Sequence, residues 1–291
     1  MVDMRLSIIA ALALTLSCTM ACVADESGTN PPVFHIDHPS LKKLSWQLLC
    51  QASTFRELPV TEALEILHTN GFHHIELSPG QSLSPDHKEI KIGPDMAPAY
   101  LDMLNGKLKD VHLDIVSYGV TEFGRNEADA RKVFEFAKGL KAKNIVGTPS
   151  RDSLELLDKL ATEYQINVAI LIQPGLPPYT DSDALLQAIK ERSTRIGVCV
   201  DIAESRRAGQ DPLDCVRKLK GRIFEVHLKD SNNPQETAAI ADVLKELAQQ
   251  KFKGAFCVQT ERGSGQELLK NLAVVVNGFS DVVTKLAAVA Q

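Results

Sequence analysis

The stretch RIGVCVDIAESRRAGQDPLDCVRKLKGRIFEVHLKD, residues 195–230, carries the pattern from which the fold can be read. It opens with a short β-branched run, Ile196 to Asp201, and reaches a helix start at Asp211-Pro212. It then ends on a second apolar run, Ile223 to Leu228. Proline just after the acidic residue suits a first helical turn, because its missing N–H would have no helical partner there. Two buried-type runs flanking a helix-length segment predict a βαβ unit with parallel strands.

The same unit recurs in both directions along the chain. Further strand candidates are Ser45 to Gln51, His73 to Leu77, Val111 to Tyr118, Asn144 to Thr148, Asn167 to Ile172 and Ala255 to Thr260. Helix candidates are Val60 to Asn70, Ala97 to Leu108, Glu127 to Lys141, Ser153 to Tyr164, Asp183 to Arg192, Pro212 to Lys220, Thr237 to Lys251 and a last one from Gln266 onward. Eight alternations without a long composition break predict a single (β/α)8 barrel over residues 44–291. The rival is an open doubly wound sheet, which would carry a glycine-rich phosphate turn after an early strand. Here Ala52-Ser53-Thr54-Phe55-Arg56 has no glycine, and Gly263-Ser264-Gly265 comes only after the last strand.

The 291 residues are 44% hydrophobic and 24% charged, ordinary globular values that exclude collagen-like, coiled-coil and largely disordered chains. A formal net charge of -5 argues against nucleic acid as a partner, since phosphate binding needs a basic face. Six cysteines are too few to build a disulfide scaffold, so stability must come from an apolar core. Residues 1–24 read as an export signal: Arg5, an apolar stretch from Leu6 to Leu16, then small residues. Cys18 and Cys22 each resemble a lipidated cysteine of a bacterial lipoprotein, with cleavage after Ala21 or Ala24 as the alternative. Residues 25–43 are polar with Pro31-Pro32 and read as a tether. The expected location is therefore outside the cytoplasm: periplasmic, held to a membrane by lipid, or secreted.

In a barrel the chemistry lies at the C-terminal ends of the strands. The polar residues there are Trp46 and Gln47, Glu76, Asp201, then His227, Lys229 and Asp230, and finally Gln259 and Glu261. Alternation puts Cys199 with Asp201 on one face, Glu225 with His227 and Lys229 on another, and Cys257 with Gln259 and Glu261 on a third. Asp201, His227 and Gln259 pointing inward would start a site for a divalent metal such as Mn, Mg, Zn or Co. Glu261 could then add an oxygen. A helix cap or a loop salt bridge for Asp201, and a satisfied core histidine for His227, are the structural alternatives. His73 and His74 read as packing and surface residues.

Several runs, none specific alone, resemble in order and spacing the sugar phosphate isomerase/epimerase family, the xylose-isomerase-like TIM barrels. They are Trp46-Gln47-Leu48, Gly71-Phe72-His73-His74-Ile75-Glu76, Ser117-Tyr118-Gly119, Ile166-Asn167-Val168-Ala169-Ile170, Arg195-Ile196-Gly197 leading to Asp201, and His227-Leu228-Lys229-Asp230. The resemblance implies a small sugar or polyol bound over a divalent metal held from the fifth to eighth strands, with carboxylates moving a proton between adjacent carbons. Asp201 and His227 match metal positions. The fifth-strand ligand position is Leu171 and the eighth-strand one is Gln259, which cannot act as a base at neutral pH.

Two functions follow. One is an exported isomerase or epimerase with metal on Asp201, His227 and Gln259, Glu261 and Glu76 as acid/base groups and Lys229 steadying an oxyanion. The other is a non-catalytic sugar- or partner-binding barrel, with Trp46 and Tyr118 as apolar platforms and Glu204 contacting the ligand. Metal-dependent phosphodiester cleavage is disfavoured by the acidic charge. Cys50 and Cys257, on strands adjoining at closure, either form a bridge or are small buried residues.

Overall fold

The structure is a computed structural model and describes residues 31–172, 179, 181–229 and 234–290. The barrel strands are β1 (Trp46–Gln51), β2 (His74–Leu77), β5 (Asp114–Thr121), β6 (Asn144–Gly147), β7 (Asn167–Leu171), β8 (Ile196–Asp201), β9 (Ile223–Lys229) and β10 (Gly254–Gln259). They close in the order β1-β10-β9-β8-β7-β6-β5-β2, and β1 pairs in parallel with both β10 and β2. Closure rules out the open doubly wound sheet. The remaining strands, β3 (Ser82–Ser84) and β4 (His87–Lys91), form an antiparallel hairpin after β2. These strands are too short and polar to show an alternation.

Around the barrel lie α1 (His38–Leu44), α2 (Val60–Thr69), α3 (Pro98–Asp110), α4 (Glu127–Gly139), α5 (Leu154–Tyr164), α6 (Ser182–Ile189), α7 (Ile202–Arg207), α8 (Pro212–Lys218), α9 (Pro234–Gln249) and α10 (Gly265–Val289). Local chemistry starts several of them. Asn126 caps α4 by accepting from the Asp129 N–H, and Asp211 caps α8 just ahead of Pro212. The expected strand from Val111 starts only at Asp114, because Val111 still caps α3 and His112 turns through a left-handed φ of 53°.

Strand alternation divides the core in two. Ile75, Tyr118, Ile145, Val168, Val198, Val226 and Phe256 belong to the large cluster between strands and helices. Leu49, Val116, Ala255 and Cys257 form one small cluster, and Val146, Ala169, Leu171 and Cys199 another. Both small clusters contain strand residues only, so they fill the lumen. Cys50 belongs to the helix side and Cys257 to the lumen, and both thiols are free. The bridge is thus ruled out by their opposite faces. Gly197 is required where β8 meets β9, since a Cβ there would sit 2.3 Å from the Arg222 carbonyl oxygen.

The expected export signal, with Cys18 and Cys22, lies outside the described residues. The latter part of the expected tether is not free chain. Residues 38–44 form α1, capped by Asp37, whose other carboxylate oxygen accepts from Thr284 of α10 at 2.6 Å. Asn277 of α10 also bonds the backbone of Val33 and His35.

Candidate functional site

At the C-terminal rim, Asp201 is both the last residue of β8 and the cap of α7. Its Oδ1 accepts the Glu204 N–H at 2.9 Å, and its Oδ2 lies 3.2 Å from Lys229 Nζ at the end of β9. The same ammonium donates to Glu204 Oε1 at 2.9 Å, and Arg207 meets that oxygen at 2.7 Å. Burial works against the Lys229 charge, but Asp201 and Glu204 outweigh it and raise its pKa above the ordinary lysine value. Lys229 is therefore a fixed cation and hydrogen-bond donor. Beside it opens a cavity of ≈ 390 Å³ lined by Arg206 and Arg207 of α7, Lys229 at the end of β9, and Gln259, Glu261 and Arg262 at and just after the end of β10.

One layer deeper, the lumen holds a polar group that is sealed from solvent. His227 Nε2 lies 3.0 Å from Glu76 Oε2 and 3.3 Å from Glu225 Oε1. Its contact with Glu225 has hydrogen-bond geometry. Although the Glu76 contact is an ion pair by distance, neither Glu76 oxygen lies in line to accept a hydrogen bond. Ser117 Oγ donates to Glu225 Oε2, and Cys257 completes a group whose ligand-type atoms lie within 4.8 Å of one another. A relay of side chains continues toward the opposite end of the barrel: Asn144 donates to Ser117 at 3.4 Å, Asn167 to Asn144 at 3.1 Å and Arg195 to Asn167 at 3.2 Å.

The charges inside are set by this environment. Burial pushes the Glu225 carboxyl up, and the Glu76 charge adds to it. Burial also opposes ionisation of Glu76, but the His227 charge more than offsets it and holds Glu76 below the usual value. Burial disfavours the imidazolium, yet the Glu76 charge and hydrogen bonding to the neutral Cys199 thiol and to Glu225 raise His227 well above the ordinary histidine value. Cys199 is pushed up to about 12 by burial, so its thiol is uncharged. The lumen thus favours an imidazolium and carboxylate pair, His227 with Glu76, beside a Glu225 carboxyl whose ionisation burial opposes.

Among solved structures, an uncharacterised protein from Parabacteroides distasonis superposes with a TM-score of 0.65 at 27% identity, covering 78% of this chain and 97% of that one. A D-tagatose 3-epimerase-like protein gives 0.63 at 15% identity, over 82% and 99%. A xylose isomerase-like TIM barrel protein from Mycobacterium smegmatis, in complex with magnesium, gives 0.60 at 13% identity, over 83% and 99%. The fold is that of the xylose isomerase-like TIM barrels. No model of a protein family matches the chain, and no curated protein does.

Against this barrel's geometry, the expected site residues separate into three places. Lys229, Glu204, Gln259 and Glu261 gather with Asp201 at the rim. Glu76 and His227 meet in the lumen instead. Asp201 and His227 are register partners on adjacent strands, but Asp201 turns to Lys229 and His227 to the two glutamates. Leu171, at the end of β7, offers no donor. At the rim, Asp201 is paired with the Lys229 ammonium rather than grouped with His227, and Gln259 would add only a neutral oxygen to a metal.

Trp46 and Tyr118 lie elsewhere, and their expected role as platforms is corrected. Trp46 begins β1, at the end away from the rim, where Nε1 donates to the Phe252 carbonyl at 2.9 Å and the ring packs on Phe256. Tyr118 faces the helices, fully buried with its ring centroid 5.1 Å from that of Phe136. Changing Trp46 to alanine should cost roughly 3–5 kcal/mol of stability in urea unfolding. It should leave the affinity of any rim ligand unaltered by titration calorimetry.

Glu225 and Cys257 escaped the sequence reading as functional residues. Their signal was visible: each shares a strand face with a rim residue, and a charged side chain in a lumen position of a parallel strand has nowhere to go but inward.

Proposed function

We propose that the protein is an exported barrel that binds a small sugar or polyol in the rim cavity and does not carry out metal-assisted proton transfer there. The observation that carries this reading is the Lys229 ammonium seated between Asp201 and Glu204. It supplies, as a permanent feature, the positive charge that a metal would bring, and it presents a donor for hydroxyl oxygens. Gln259 adds an amide able both to donate and to accept, a pairing suited to vicinal hydroxyls. The apolar segment from Leu6 to Leu16 and the cysteines after it support export, with lipid attachment at Cys18 or Cys22.

A second reading, carbohydrate isomerisation or epimerisation, is favoured by Glu261, an exposed carboxylate that lines the same cavity as Lys229 and Gln259. Calorimetric titration with monosaccharides, polyols and sugar acids, followed by proton NMR of each binder in heavy water with Mg, Mn, Zn or Co added, separates the two. Binding without deuterium entering a C–H position is the expected result. Incorporation with product formation would replace the binding reading by the isomerase one, and absence of any binding would defeat both.

A further inference from the structure

We propose that the barrel lumen holds one divalent cation, zinc by donor type, bound by Glu76 of β2, Glu225 and His227 of β9 and Cys257 of β10. This site is separate from the rim and independent of the sugar-binding reading. Its first support is spatial: four donor atoms from three strands lie within 4.8 Å of one another, with all four residues buried. A tetrahedral zinc with ligand distances of about 2.0–2.3 Å needs donors roughly 3.3–3.8 Å apart. Of the His227 Nε2 contacts, the one to Glu225 at 3.3 Å meets this spacing and the one to Glu76 at 3.0 Å is slightly tighter, while the group as a whole lies within 4.8 Å, so side-chain movements of under about 1 Å would close it on an ion.

The second support is an unmet valence. The single Nε2–H of His227 is committed to Glu225, and both Glu76 oxygens are fully buried without accepting a hydrogen bond. Glu76 is held only by its charge contact with His227 at 3.0 Å, and a buried carboxylate that accepts no hydrogen bond keeps its oxygens available to a metal. A cation among these donors would satisfy Glu76 directly.

Donor chemistry then narrows the ion. Two carboxylate oxygens, one imidazole and one thiolate form a mixed set that suits zinc and disfavours magnesium or calcium, which take oxygen alone. With all four donors deprotonated, a divalent ion leaves a net charge of about -1 in the lumen, so binding releases protons to solvent. All four residues are buried and none lines the rim cavity, which points to a structural ion tying β2 to β9 and β10 across the lumen. A closed site of this type would be filled as the chain folds.

The test uses the full chain purified without chelator, with metal measured per chain by mass spectrometry. About one zinc per chain is expected, and refolding with cobalt should produce a thiolate-to-cobalt charge-transfer band. Cys257→Ser should remove that band while Cys215→Ser keeps it. Asp201→Asn should leave the metal content unchanged. The proposal is overturned if protein refolded with zinc or cobalt holds no metal and melts at the same temperature with and without chelator. It is equally overturned if metal is lost with Asp201→Asn but retained with Cys257→Ser, which would place the ion at the rim.

Discussion

Replacing His227 by alanine is expected to destabilise the protein by about 3–5 kcal/mol, the cost of leaving a buried charge without its partner. Glu76 is ionised beside that ring and has no hydrogen-bond donor to fall back on, while Glu225 loses its ring contact and keeps only Ser117. For a domain of this size each kcal/mol moves the melting temperature by ~2–4 °C, so a drop of roughly 6–20 °C is expected in a circular-dichroism melt. Adding Glu76→Gln to the same variant should recover part of the loss, because the unpaired charge is gone even though the cavity remains. A melting temperature within a few degrees of wild type would show that the lumen pair contributes nothing. A combined variant less stable than the single one would show that Glu76 is stabilised by something other than His227.

The second large effect is at the rim. Lys229→Met should weaken sugar or polyol binding by ~10- to 100-fold, the loss of one charge-assisted hydrogen bond worth roughly 1.5–3 kcal/mol. Methionine keeps the length and apolar stem of the side chain, so the change isolates the ammonium. Its effect on stability should be smaller than that of His227→Ala, since Lys229 is 18% exposed and water can take over some of its interactions with Asp201 and Glu204. Lys229→Arg keeps the charge on a wider planar group and should retain part of the affinity. Calorimetric titration measures both. Unchanged binding in Lys229→Met would remove the ammonium from the ligand's contacts, and with it the observation on which the proposed function rests.

Both variants act on groups of one strand, β9, and the way they were legible in the sequence differs. Ile223 to Leu228 declares a buried strand through its apolar run, and the Glu225, His227 and Lys229 alternation declares a common face. That reading holds along the whole of β9. The strand bounds at Ile196–Asp201 are likewise as expected. Local chemistry also marks the α8 start, where Asp211 and Pro212 act on their own neighbours in the chain. The hairpin β3-β4 was illegible for the complementary reason: Ser84-Pro85-Asp86 signals a turn, but the few polar residues on either side carry no apolar alternation that would mark strands.

The site divides along the same line. Period-two and helical patterns are properties of neighbouring residues, so the chain's order of strands and helices, and hence its closed barrel, could be written down from composition and spacing. Which of the inward groups meet is decided by the stagger of one strand against the next and by closure, which bring Glu76 of β2 across the lumen to His227 of β9. No local pattern encodes a contact between residues so far apart in the chain. Nor could spacing show that Asp201, register partner of His227, turns instead to Lys229. That choice follows from α7, whose first turn needs the Asp201 carboxylate as its cap and so holds it at the rim, beside the ammonium and away from the histidine.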